Sequence, residues 1–107
     1  TRRSSDLTRL QQLSALPSEI VRRQLRVTPY PHEDAGWIIA NSGPEVALFS
    51  SDYPHVEGGR APLKRFDESL ARTPEADRRR FYADNFIDLM GAGLAPHLRR
   101  PQHLQAA

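Results

Sequence analysis

Cysteine is absent from the 107-residue sequence, which excludes a disulfide scaffold, a thiolate nucleophile and any zinc or iron–sulfur site built on cysteine. Long hydrophobic runs are absent as well, since none approaches the ~18 apolar residues that a membrane-spanning helix needs. The polar residues that follow Thr1 lack the apolar stretch of a secretory signal peptide. We therefore expect a cytoplasmic protein that does not enter a membrane.

Lysine is scarce, because Lys64 is the single lysine and arginine supplies the other 14 basic residues. The formal net charge is only +2, which is small for a protein that binds nucleic acid. Arginines cluster at residues 22–23, 78–80 and 99–100, with no aromatic residue interleaved among them to stack on bases. Nucleic-acid binding is therefore the least favoured function, and we expect no nucleic-acid partner.

Apolar spacing predicts an α/β arrangement in one small domain. Helices are predicted at residues 7–15, 18–24, 33–41, 62–70 and 74–90. Strands are predicted at residues 25–30, which are rich in β-branched and aromatic types, and at 46–49, a continuous apolar run. Alternating strands and helices indicate βα units with parallel strands. Two such strands leave sheet edges unpaired, so the pattern predicts that the chain belongs to something larger.

The hydrophobic fraction of 38% suits one modest core. The aromatic residues expected to pack it are Trp37, Phe49, Phe66, Phe81 and Phe86. Asn85 lies inside the last predicted helix, an unusual position for asparagine. Its side chain either points to solvent or holds the backbone of a nearby loop.

Asp52 is the strongest candidate for a functional residue because it comes just after the predicted strand 46–49. In α/β barrels and open α/β sheets, the active site lies at the carboxyl ends of the strands. The alternative is that Asp52 caps the turn before Pro54. His55 and Glu57 lie close by in sequence and add nitrogen and oxygen ligands, although the spacing of the three residues matches no established metal motif.

The tripeptide Tyr-Pro-His occurs twice, at residues 30–32 and again 23 residues later at 53–55. Each copy follows a predicted strand and runs into acidic residues and glycine. Either the repeated tripeptide is a coincidence in a short chain, or two consecutive βα units present matching loops on one face. In the first copy, Glu33 and Asp34 beside His32 also suit the first turn of the following helix.

Residues 48–55, Leu-Phe-Ser-Ser-Asp-Tyr-Pro-His, resemble the last-strand signature of the amidohydrolase-related (amidohydrolase 2) family, which includes aminocarboxymuconate-semialdehyde decarboxylase-like enzymes. Residues 81–91 are similar to the closing helix of that family, where an asparagine followed by apolar residues ends in a glycine. The resemblance covers roughly residues 17–94 and implies a metal-dependent (β/α)8 TIM barrel. This helix-rich chain with two short parallel strands would supply the last two βα units as residues 1–94, with 95–107 as a flexible tail.

The same resemblance implies roles for two residues. Asp52 would be the acid at the end of the eighth strand, where it binds a divalent metal and handles the proton of the metal-bound water. Zinc is the first choice of metal, with manganese or magnesium as alternatives. His55 would line the pocket for a small-molecule substrate. The activity would be hydrolysis, with decarboxylation by a carboxy-lyase as the alternative within the family.

The sequence has no His-x-His pair, which in this family comes from the first strand and binds the metal. We therefore expect a carboxyl-terminal fragment that holds no metal and has no activity by itself. Its partners would be the missing amino-terminal barrel units. For the complete enzyme, both a monomer and a homo-oligomer stay open. Outside this family, the alternative is a non-catalytic interaction module.

Overall fold

The structure is a computed structural model and describes residues 14–99. Most of the predicted helix 7–15 and residues 100–107 of the expected tail lie outside the described residues. The described part is rich in helix. Within it, no helix is both long enough and apolar enough to cross a membrane.

Helices form where the apolar spacing predicts them, with ends that differ by at most two residues. They are α1 (Pro17–Gln24), α2 (Ala35–Ser42), α3 (Pro62–Ser69) and α4, which joins Glu75–Arg79, a π-helical turn at Arg80–Asp84, and Asn85–Met90. Shorter 3-10 turns are formed by Val56–Gly58, Gly91–Gly93 and Pro96–Leu98. The last of these turns falls in the segment expected to be a tail.

Local chemistry fixes the helix ends. Pro62 is the first residue of α3, a position where the missing N–H costs nothing. Asp34 precedes α2, and its Oδ1 atom accepts a hydrogen bond from the Trp37 N–H at 2.9 Å. The helix ends at Gly43, whose φ of 88° is unfavourable for residues with a Cβ. Sequence alone therefore determines these boundaries closely.

The two predicted strands are not seen. Within residues 14–99 no strand forms, and segments 25–30 and 46–49 meet at one isolated parallel bridge between Val27 and Ala47. Two backbone hydrogen bonds of 2.9 Å flank this pair. Pro29 has no N–H to donate, which stops the pairing from continuing along the first segment. The two segments pair in the parallel direction, but a single bridge does not make a sheet.

Asn85 binds backbone carbonyls of the second segment that the bridge leaves free. Its Nδ2 atom donates to the Pro44 carbonyl at 2.7 Å and to the Ala47 carbonyl at 2.8 Å. The Phe49 N–H donates to the Phe81 carbonyl at 2.8 Å rather than to a neighbouring strand. Asn85 is 1% exposed, so its side chain holds a nearby backbone, as one of the two sequence alternatives predicts. Helix α4 therefore anchors the segment that leads to Asp52.

The core lies between segment 46–49 and helices α2, α3 and α4. Its buried members are Ala35, Ile39, Ala47, Phe66, Leu70 and Phe81. Phe49 packs edge-on against Phe66 and Phe81, with ring centroids 5.7 and 6.4 Å apart. The prediction that Trp37 and Phe86 join this core is wrong, since they are 65% and 44% exposed. Trp37 lies on the face of α2 opposite the buried residues, and Phe86 follows the inward-pointing Asn85.

Candidate functional site

Asp52 lies on a turn just beyond the carboxyl end of segment 46–49. Its φ of 56° falls in the left-handed region, which aspartate tolerates better than most residues. The Ser50 Oγ atom accepts a hydrogen bond from the Asp52 N–H, and the Ser51 Oγ atom accepts one from the Tyr53 N–H, both at 3.2 Å. The two hydroxyls hold the turn, and the Asp52 side chain is half-buried.

The chain then folds back over Asp52 through the 3-10 turn Val56–Gly58. The His55 N–H donates to the Asp52 carbonyl at 2.8 Å, and the Gly58 N–H donates to the His55 carbonyl at 3.1 Å. Gly58 is buried directly against Ser51, so that a Cβ atom at Gly58 would lie 2.3 Å from the Ser51 carbonyl oxygen. Only glycine lets the turn close to this distance.

Three side chains of residues 50–58, here named the Asp52 loop, converge on one place. Asp52, His55 and Glu57 each offer one ligand atom, and these atoms all lie within 4.8 Å of one another. The His55 Nδ1 atom is 3.4 Å from the Asp52 Oδ1 atom. His55 and Glu57 are exposed. The structure therefore brings together three groups that the sequence placed near one another without a recognisable motif.

Among the residues that the structure describes, no arginine or lysine pairs with either carboxylate of this group, Asp52 or Glu57. The N–H groups of the loop donate to hydroxyl and carbonyl oxygens rather than to these carboxylates. Two neighbouring carboxylates repel each other, and a bound cation relieves that repulsion.

The donor set suits a divalent transition metal. Zinc is bound by histidine nitrogen and by carboxylate oxygen, and its catalytic sites use three protein ligands and leave one position open. Manganese and magnesium favour carboxylates and water. The residues present therefore fit the divalent metal that the family resemblance implies.

The first Tyr-Pro-His loop has a different arrangement. The Glu33 Oε2 atom accepts a hydrogen bond from the Tyr30 N–H at 2.6 Å, and Asp34 caps α2 through the Trp37 N–H. His32 stacks on Tyr30, with ring centroids 5.5 Å apart. The acids of this loop accept hydrogen bonds from backbone N–H groups, and none of its residues belongs to the candidate donor group of Asp52, His55 and Glu57.

A polar contact that the sequence did not indicate joins α3 and α4. The Tyr82 hydroxyl donates a hydrogen bond to Asp67 Oδ1. Burial raises the pKa of Tyr82 above its usual value, and the hydrogen bond and negative charge of Asp67 raise it further. The two residues lie on different helices, so no local sequence pattern predicts their contact. They line a cavity of about 420 Å³ together with charged residues.

A cavity of about 760 Å³ lies between α2 and the segment that joins α3 to α4. Its lining includes Trp37, Pro44, Glu68, Arg72 and Asp77. No residue of the Asp52 loop lines it. Its size alone does not mark it as the functional site, because the candidate donors Asp52, His55 and Glu57 lie elsewhere.

Comparisons with known proteins returned no match: no family model, no curated protein and no solved structure matches this chain. The functional interpretation therefore depends on the geometry of the Asp52 loop. The resemblance of residues 48–55 and 81–91 adds to that geometry as a hypothesis.

Proposed function

We propose that this chain is the carboxyl-terminal part of a metal-dependent, amidohydrolase-like enzyme that hydrolyses a small organic substrate. Asp52 serves in it as a metal ligand and proton-transfer group. The observation that carries the proposal is the position of Asp52, just beyond the carboxyl end of segment 46–49, which runs parallel to residues 25–30. In folds with parallel strands, active-site groups are found at this end.

The packing supports a larger parallel fold. Helix α2 connects the two bridged segments, which is the chain order of a βα unit. Leu25 and Val27 are 47% and 40% exposed, although they flank or form the bridge. Further parallel strands would cover these side chains and pair the open backbone. The amino-terminal units of a barrel are partners of the right kind.

Asp52 would hold a divalent metal together with histidines of the missing amino-terminal units. Such a metal supplies Lewis acidity and lowers the pKa of a water bound to it. The contribution of the chain itself is a half-buried carboxylate, held by a hydrogen-bonded turn, that accepts a proton and returns it. His55 stands on the open side of Asp52, toward the solvent that a substrate would displace.

Sequencing the coding DNA upstream of the Thr1 codon tests the larger fold. We expect an open frame of roughly 150–300 further codons, enough for a complete barrel. It should encode a His-x-His pair after an early strand. A stop codon or a genuine start codon immediately before Thr1 would contradict the proposal.

Turnover by the complete protein tests the role of Asp52. The zinc-loaded enzyme is assayed against amides, lactones and unsaturated carboxylic acids, with separate detection of hydrolysis products and of CO2. We expect Asp52→Asn to lower turnover by about a thousandfold or more, because a metal ligand and a proton acceptor are lost together. Asp34→Asn, which changes an acid that only caps a helix, is the matched control and should retain turnover. Full turnover by Asp52→Asn would contradict the proposal, and CO2 release without hydrolysis would replace hydrolysis with the carboxy-lyase alternative.

A further inference from the structure

We propose that helix α4 is an exchangeable cap on segment 46–49. In this chain it occupies one edge of the segment, and it yields that edge to a β-strand of the amino-terminal units when the barrel closes. The inference rests on the proposed function and deepens it, because it names what must move before the segment that leads to Asp52 can join a sheet. The partner is an extended, parallel strand.

The segment has two edges, because the N–H and C=O groups of successive residues in an extended chain point to opposite sides. On the first edge, the Val46 carbonyl accepts a hydrogen bond from the Val27 N–H, and the Leu48 N–H donates to the Val27 carbonyl, both at 2.9 Å. The backbone groups of Ala47 and Phe49 therefore point to the second edge. A further parallel strand would pair with the segment at these groups.

Helix α4 fills the second edge. The Asn85 Nδ2 atom donates a hydrogen bond to the Ala47 carbonyl at 2.8 Å. The Phe49 N–H donates to the Phe81 carbonyl, also at 2.8 Å. A paired strand lies about 4.8 Å from its neighbour, and α4 takes that space with two residues that are each 1% exposed, Phe81 and Asn85. The described position of α4 and a strand paired at this edge therefore exclude each other.

The residues of the segment are typical of a strand with a neighbour on each edge. Val46, Ala47 and Leu48 form a continuous apolar run and are at most 6% exposed. Edge strands commonly carry charged residues or proline, which discourage further pairing, and residues 46–49 contain neither. The segment therefore favours a strand at the edge that α4 occupies.

The contact between α4 and the edge is short and leaves a buried polar atom unsatisfied. Its two hydrogen bonds come from one side chain and from a carbonyl of the π-helical turn Arg80–Asp84, rather than from a repeating ladder. The Arg26 side chain, which is 10% exposed, pairs with Asp88 of α4 at 2.9 Å. Its Nε atom is buried without a hydrogen-bond partner among the described residues, which is unfavourable. A strand that offers several backbone hydrogen bonds can compete with such a contact.

Amide hydrogen exchange in the 107-residue chain, followed by nuclear magnetic resonance, tests the cap first. The Leu48 N–H faces Val27 and the Phe49 N–H faces α4, so these neighbouring amides report on the two edges. If α4 leaves the edge without unfolding of the whole chain, the Phe49 amide should exchange at least about tenfold faster than the Leu48 amide, after correction for intrinsic rates. Equal exchange would overturn the inference, because α4 would then open only with the entire fold. This measurement needs no substitution.

The Phe49 amide is then compared between the 107-residue chain and the complete protein. In the 107-residue chain, Asn85→Ala should speed its exchange at least about tenfold, because a hydrogen bond of the cap is lost. In the complete protein a strand protects this amide instead, so Asn85→Ala should change the rate by less than about twofold. Asn41→Ala, which removes an exposed hydrogen bond within α2, is the matched control and should leave the rate unchanged in both proteins.

Equal acceleration of Phe49 exchange by Asn85→Ala in both proteins would overturn the inference, while turnover of the complete enzyme would leave the proposed function intact. Conversely, an upstream reading frame without barrel units, or a complete enzyme that needs no Asp52, would remove the proposed function. The exchange rates of Phe49 and Leu48 in the 107-residue chain would still decide whether α4 opens from the edge by itself.

Discussion

The loop that begins at Tyr30 and the loop that begins at Tyr53 share the tripeptide Tyr-Pro-His and differ in where their acids go. In the first, Glu33 and Asp34 accept hydrogen bonds from backbone N–H groups, and Asp34 starts helix α2. In the second, Glu57 accepts none within residues 14–99 and shares its place with Asp52 and a histidine ring. Acids bonded to the backbone stabilise the fold, whereas acids left free beside an imidazole are available to a ligand.

The anchoring of the second loop by helix α4 gives the largest expected effect. Asn85→Ala leaves the buried Ala47 carbonyl and the partly buried Pro44 carbonyl without their donor and creates a small cavity. We expect the free energy of unfolding to fall by about 2–4 kcal/mol. Asn41→Ala, which removes an exposed side-chain hydrogen bond within α2, should cost well under 1 kcal/mol. Urea unfolding of both variants measures the difference, and equal costs would contradict the anchoring role.

Adding a methyl group at Gly58 should break the second loop while leaving the first intact. In Gly58→Ala, the new Cβ meets the Ser51 carbonyl oxygen at 2.3 Å, so the loop must shift. We expect a loss of about 1–3 kcal/mol in unfolding free energy, together with weaker zinc binding by the complete enzyme. Gly93→Ala is the control, because its Cβ would meet only the end of the Met90 side chain at an ordinary distance of 3.6 Å. Zinc binding by Gly58→Ala at wild-type affinity would show that the loop conformation is not needed.

Removing one acid from each loop tests whether the two acids have different roles. Asp34→Ala removes a helix cap and should lower the free energy of unfolding by about 1 kcal/mol, with zinc affinity unchanged. Asp52→Asn should change that free energy by no more than about 0.5 kcal/mol, while it weakens zinc binding by the complete enzyme. Thermal unfolding and chelator competition on both variants measure the two effects. Equal losses of unfolding free energy in the two variants, or equal losses of zinc affinity, would contradict this difference between the acids.

Asp67 is a third kind of acid, bonded to a side-chain hydroxyl, and it gives the smallest expected effect. The pKa of Tyr82 is raised in the folded chain by burial and by Asp67, so its phenol stays protonated at a pH where the unfolded chain has lost that proton. The contribution to stability is therefore complete below about pH 10 and declines as the pH rises further. Unfolding measured from pH 8 to 11 should show this decline in the wild type and a flatter profile in Tyr82→Phe. An identical profile in Tyr82→Phe would show that another group causes the decline.

Helices could be predicted because their signals are local. Pro62, Asp34 and Gly43 mark helix ends, and the apolar period marks the buried faces. The strands were predicted from composition at residues 25–30 and 46–49, but the pairing is limited to one bridge because Pro29 has no N–H to continue it. On segment 46–49, Asn85 holds the Ala47 carbonyl from 38 residues away, and no local pattern reveals this. The same limit explains why Trp37 and Phe86 were placed in the core, since their burial depends on which helix face meets its neighbours.

The sequence by itself determined the positions of the helices and the location of Asp52 just after an apolar segment, because both follow from the order of residue types along the chain. Tertiary structure decided which acids are free, since that depends on where backbone N–H groups and arginines lie in space. It also decided that Glu57 returns to Asp52, because the buried Gly58 can approach the Ser51 carbonyl more closely than any residue with a Cβ.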